Sequence, residues 1–174
     1  SPEQKTMALV EKTMMQGAEE DRMSLEEKRE YASALEGLIA DYLEMDRGDR
    51  ENRALAAVLN RLGKIHYLLG DYDTARNFLH QDLEIAQQLG DKGGVSKSLY
   101  NLGMLAEATG DYDAARKLYQ QSLEINQELG DKSGVSKSLH QLGILAHYIG
   151  DFDEARKLYQ QSLEIKQKLG DKSG

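Results

Sequence analysis

The 174-residue sequence has no cysteine, no tryptophan, one proline and two phenylalanines. Without cysteine there is no disulfide scaffold, no thiolate nucleophile and no cysteine-ligated metal. A single proline leaves long helices uninterrupted. No apolar run approaches the roughly 18 residues of a membrane span, and no signal-peptide pattern opens the chain. Positive charge is also in deficit: 22 Lys and Arg stand against 30 Asp and Glu, for a net charge of −8. Such a chain lacks the basic face on which non-specific nucleic-acid binding depends. These absences predict a cytoplasmic protein that meets neither membrane nor nucleic acid. What is abundant is leucine, present 25 times against 15 for Val, Ile and Thr together. That balance, with plentiful Glu, Lys and Gln, favours helix throughout. The 16 glycines conflict with an all-helical chain until their positions are read.

Those positions are periodic. Leu-Gly-Asp occurs at 89–91, 129–131 and 169–171. Gly70-Asp71-Tyr72-Asp73 returns as Gly110-Asp111-Tyr112-Asp113 and Gly150-Asp151-Phe152-Asp153, and Leu62-Gly63 returns as Leu102-Gly103 and Leu142-Gly143. Each series steps by 40, and residues 91–130 match 131–170 at 29 of 40 positions. A repeat of this length signals a stacked array of small units. Each unit reads as two helices. The first runs from about Val95 to Thr109, with Leu99, Leu102, Leu105 and Ala106 on one stripe. Gly110 follows as a left-handed C-terminal cap, and Asp113 stands as the next N-cap. The second helix runs from about Ala114 to Leu129, with Ala115, Leu118, Tyr119, Ser122, Leu123 and Leu129 facing inward, and Gly130 ends it. Gly63, Gly103 and Gly143 lie inside the first helices. There glycine costs about 1 kcal/mol against alanine, so close approach of the partner helix is expected.

The series Leu99-x-x-Leu102-Gly103-x-x-Ala106, followed by Ala115-x-x-x-Tyr119, resembles the tetratricopeptide repeat. The third copy supplies Leu139, Leu142, Gly143, Ala146, Ala155 and Tyr159, and the first supplies Leu59, Leu62, Gly63, His66, Ala75 and Leu79. Leucine replaces the family's leading tryptophan, alanine or histidine its first aromatic, and the terminal proline is missing. The 40-residue period is similar to that of kinesin light chains, Leu-Gly-Asn spindle adaptors and prokaryotic multidomain signalling proteins. The resemblance implies an all-α fold, a right-handed superhelical solenoid of antiparallel helix pairs. Residues 51–90, 91–130 and 131–170 form its three full repeats. Residues 1–50 read as an N-terminal helical pair, either a degenerate repeat or a cap. Ser24 and Glu27 have capping-box spacing there, with a second helix over 25–46 and a first over 3–18. Residues 171–174 repeat the opening of a unit, as at the start of a further, truncated repeat.

Repeats two and three differ at 11 positions, six of them in the first helix. Tyr100, Met104, Glu107 and Ala108 share one stripe with their counterparts His140, Ile144, His147 and Tyr148. Residues 115–125 are identical to 155–165. One stripe diversified while the rest was kept, as a binding face would. The resemblance implies the same surface, because first helices line the family's concave groove. Carried over, it points to Asn60, Lys64 and Tyr67 in the first repeat. The second contributes Lys97, Tyr100, Met104 and Glu107, and the third Lys137, His140, Ile144, His147 and Tyr148. Rings supply anchoring area and lysines orient carboxylates. The clamp asparagine of chaperone adaptors is replaced by Lys64, Met104 or Ile144, which argues against that mode. The expected function is a non-enzymatic scaffold binding a partner peptide or domain. The alternative is the sensor arm of a signalling ATPase or transcription regulator that binds a small effector. No nucleophile elbow, P-loop or HExxH motif is present, two histidines make a poor metal site, and no cofactor is expected. The C-terminal repeat carries a surface with no cap after it. Leu158, Ser162, Ile165 and Leu169 are expected near that surface, and the end is expected either to fray or to associate end-to-end with another copy of the chain at high concentration.

Overall fold

The computed structural model describes residues 22–44 and 46–171. Among them are seven α-helices and no strand: α1 (Leu25–Leu43), α2 (Asp49–Leu68), α3 (Tyr72–Gln88), α4 (Lys92–Ala108), α5 (Tyr112–Leu129), α6 (Lys132–Tyr148) and α7 (Phe152–Asp171). The fold is an all-α helical repeat. The helix expected over 3–18 lies outside the described residues. The chain divides into two compact units, Ser1–Asp91 and Lys92–Gly174.

In the first unit α1 packs on α2, and α2 on α3. The capping box forms as the spacing predicts. The Glu27 N–H donates to Ser24 Oγ (3.2 Å) and the Ser24 N–H to Glu27 Oε2 (2.7 Å). These hydrogen bonds hold the Glu27 carboxyl below its ordinary value, the Ser24 backbone N–H first among the causes. Helix α1 ends at Leu43 rather than 46. Beyond it Arg47 donates to the Tyr42 carbonyl (2.7 Å) and to Asn52 Oδ1 (3.1 Å), joining α1 to the start of α2. The core comprises Ala32, Leu35, Ile39 and Tyr42 of α1 with Leu55, Val58, Leu59, Leu62 and Ile65 of α2. His66 is packed, as its position in the repeat predicts, with its ring 5.6 Å from that of Phe78. Its Nε2 lies 2.8 Å from Glu36 Oε1, while Nδ1 is buried without a hydrogen bond, 3.4 Å from Asp71 Oδ2.

The second unit packs α4 on α5, α5 on α6 and α6 on α7. Its core is Ala115, Tyr119, Leu123, Leu139, Leu142 and Leu145. Small polar groups close each helix pair from within. Ser96 Oγ lies 2.9 Å from Ser122 Oγ and donates to Asn126 Oδ1 (2.7 Å). Ser136 and Ser162 repeat the serine contact at 2.9 Å. A hydroxyl is one of the few polar groups small enough to be satisfied where two helices nearly touch. The helix starts correct the sequence reading. Asp111, rather than Asp113, is the N-cap of α5, accepting from the Ala114 N–H (3.1 Å). Gly110 adopts φ +80°, so the chain reverses in two residues and α5 begins at Tyr112. Likewise Asp131 caps α6 through the Gly134 N–H (2.9 Å). The first helices therefore start about one turn before Val95 and Val135. Leu129, expected to face inward, is instead 48% exposed at the last residue of α5.

Candidate functional site

The first helix of each pair carries glycine where a side chain of its partner must enter: Leu79 at Gly63, and a tyrosine ring at Gly103 and Gly143. A Cβ built on Gly103 would lie 2.7 Å from Tyr119 Cε1, and one on Gly143 would lie 2.8 Å from Tyr159 Cδ1. Both are far inside van der Waals contact, so the close approach expected from these glycines is present. The rings then emerge beside the divergent stripe. Tyr100 meets Tyr119 at 5.5 Å between centroids, and His140 meets Tyr159 at 5.4 Å, both tilted. The same packing thus recurs under different stripe residues.

Tyr119 reaches across the stripe. Its phenol donates to Glu107 Oε2 on α4 (2.8 Å) and accepts from Gln141 Nε2 on α6 (3.3 Å). Burial, and secondarily Glu107, raises its pKa well above the ordinary phenol value. Tyr159 is raised too, by desolvation and then by Tyr148 and Glu107. Tyr119, Tyr159 and Gln141 adjoin the candidate stripe, and the stripe reading left them out. Tyr119 and Tyr159 follow the core pattern, and only the hydrogen bonds of the buried Tyr119 hydroxyl to Glu107 and Gln141 show that it reaches the stripe helices. Gln141 had a signal, since it is one of the 11 positions that differ.

The candidate residues separate on inspection. Met104 and Ile144 are half-buried, and Met104 packs against the core. Lys97, Lys137, His140, His147 and Tyr148 are exposed. His147 turns edge-on to Phe152 at 5.2 Å, and Tyr148 stacks on Tyr112 at 5.8 Å. In the first unit Lys64 is exposed and Tyr67 half-buried against Tyr72. Asn60 is a correction. It is only 4% exposed and donates to the buried Asp82 carboxylate at 2.8 Å. That hydrogen bond ties α2 to α3 and takes Asn60 off the exposed face. No group of three or more metal-ligating side chains exists among the described residues. Nor is any described helix long and apolar enough to cross a membrane.

The tetratricopeptide repeat profile matches residues 54–128 and 94–168. Helix pairs with an invariant glycine contact and a 40-residue period define a helical-repeat protein, and this chain belongs to the tetratricopeptide repeat family. No curated protein matches the sequence. Solved structures share the fold. BtubC (BKLC) from P. vanneervenii is 22% identical with a TM-score of 0.79, over 94% of this chain and 64% of that one. Aspartyl phosphate phosphatase F from Bacillus subtilis is 14% identical with a TM-score of 0.81, over 95% and 42%. RapI in its apo form is 16% identical with a TM-score of 0.77, over 92% and 57%. The chain therefore spans less than two thirds of each of these proteins.

Proposed function

We propose that this chain is a non-enzymatic protein–protein interaction scaffold, and that the face formed by α4 and α6 holds a peptide of its partner. One observation carries the reading. Of the 11 positions at which the two repeats differ, six lie in the first helix, and four of these form the stripe that carries Tyr100 and His140, which pack on Tyr119 and Tyr159. The glycine contact does not demand such changes, because Tyr119 and Tyr159 meet Gly103 and Gly143 alike beneath both sets. Rings on a rigid helical face supply contact area at little entropic cost.

The test uses peptides selected from a random phage-displayed library on the whole chain. His140→Ala with Ile144→Ala should weaken their binding by about 2 kcal/mol for each side chain that is a hot spot. Lys117→Glu, on an exposed position of α5, should leave binding unchanged, and thermal melts should show all variants folded. Binding abolished by Lys117→Glu and untouched by the stripe pair would overturn the assignment.

A further inference from the structure

We propose that Glu107 is the seat of a cationic group, the lysine or arginine side chain of a bound peptide. This rests on the groove reading above. Glu107 is half-buried and accepts from a neutral donor, the Tyr119 phenol. No Lys, Arg or His among the described residues forms an ion pair with it. Two exposed acids of the same unit, Glu128 and Glu154, meet lysines at 3.0 Å and 3.8 Å, whereas the half-buried Glu107 meets a phenol. A partly desolvated carboxylate held by one neutral hydrogen bond remains a strong acceptor for a charged donor.

Its surroundings suit a cation. The phenol of Tyr119 spends its proton on Glu107 and takes one from Gln141 Nε2. The Tyr119 hydroxyl touches the carboxylate, and the Tyr119 ring packs against that of Tyr100 at 5.5 Å, so aromatic rings stand close to the seat. Such π-faces attract ammonium and guanidinium groups. The third repeat replaces this acid by His147, which packs on Phe152, so the site occurs once in this unit.

The position also sets polarity. Lys97 stands ten residues before Glu107 on the same stripe, about 15 Å along the helix. An extended peptide gains about 3.3 Å per residue. A ligand with a basic residue at Glu107 therefore meets Lys97 and Lys137 some four or five residues away, where an acidic residue fits. The groove favours a peptide of mixed charge, bound in one direction.

Peptides from the random library are aligned and measured against the natural chain, Glu107→Gln, Glu107→Lys and the His140→Ala/Ile144→Ala pair. Glutamine keeps an acceptor for the Tyr119 phenol and removes only the charge. The expected result is enrichment of Lys or Arg at one aligned position, about tenfold weaker binding to Glu107→Gln, and Asp or Glu at that position when selection is repeated on Glu107→Lys. Peptides that need the stripe pair but carry no basic residue, or bind Glu107→Gln unchanged, overturn the cation seat and leave the groove standing. Failure to select any peptide, or peptides indifferent to the stripe pair, overturns the groove itself and the seat with it.

Discussion

A glycine inside a helix is a local loss that only its neighbour can justify, and this chain contains its own control. Gly103 faces the buried ring of Tyr119, with no room for a methyl group. Gly37, midway along α1, has nothing within 4 Å of where a Cβ would stand. Alanine improves helix propensity by about 1 kcal/mol at either position. At Gly103 that gain is opposed by overpacking against a ring that cannot move, typically 1–3 kcal/mol. Urea denaturation should therefore find Gly37→Ala more stable by about 0.5–1 kcal/mol and Gly103→Ala less stable by about 1 kcal/mol or more. A gain at both would mean that Tyr119 yields easily, and that the glycine does not exist for the ring.

Among the elements, periodicity was legible where it is written in residues that do one thing. A left-handed cap needs glycine, so Gly70, Gly110 and Gly150 mark helix ends, each with positive φ. Aspartate is less specific, because Asp111 and Asp113 can each accept from a first-turn amide. Geometry decides: after Gly110 the chain enters α5 within two residues, which leaves Asp111 outside the helix and Asp113 in its first turn. Asp111→Ala should cost about 1 kcal/mol as a lost cap. Asp113→Ala should lose only its interaction with the helix dipole, at most about 0.5 kcal/mol, and equal costs in thermal denaturation would contradict the assignment. Site residues were legible on the same terms. The stripe from Tyr100 to Glu107 shows as divergence between copies. Asn60 shares the stripe's spacing but meets Asp82, and no pattern within α2 announces a partner 22 residues away. The hydroxyl of Tyr119 was hidden for the opposite reason, since a tyrosine at a core position reads as apolar filling.

For the molecule as a whole, the question is what α7 leaves bare, and the answer differs from the residues that spacing suggested. Ser162 is buried against Ser136, and Leu158, Ile165 and Leu169 are half-buried. The bare edge is turned further round. Leu123 on α5 is 6% exposed while its counterpart Leu163 on α7 is 54% exposed, although the eleven residues around each are identical. Tyr119 is fully buried and Tyr159 is not. The difference is α6, which covers α5. A wide apolar stripe does not reveal from sequence which edge packs within its own repeat and which awaits a neighbour. Arg156 and Lys166 flank Tyr159 and Leu163 at i, i+3, i+7 and i+10 spacing, and both are exposed. If two chains meet through this edge in a symmetric pair, these cations are brought together. Contact between single helices also buries well under the roughly 1,200 Å² of a stable interface. The expected self-association is therefore weak, visible only at high concentration, and strengthened by salt, which screens the cations over about 8 Å at physiological ionic strength. Leu163→Glu should remove it, and Leu129→Glu, elsewhere on an exposed position, should not. Sedimentation equilibrium across concentration at low and high salt reads the outcome. Association that weakens with salt would place the contact on oppositely charged surfaces instead, and a chain monomeric throughout would show that two repeats with the same face do not share its stickiness.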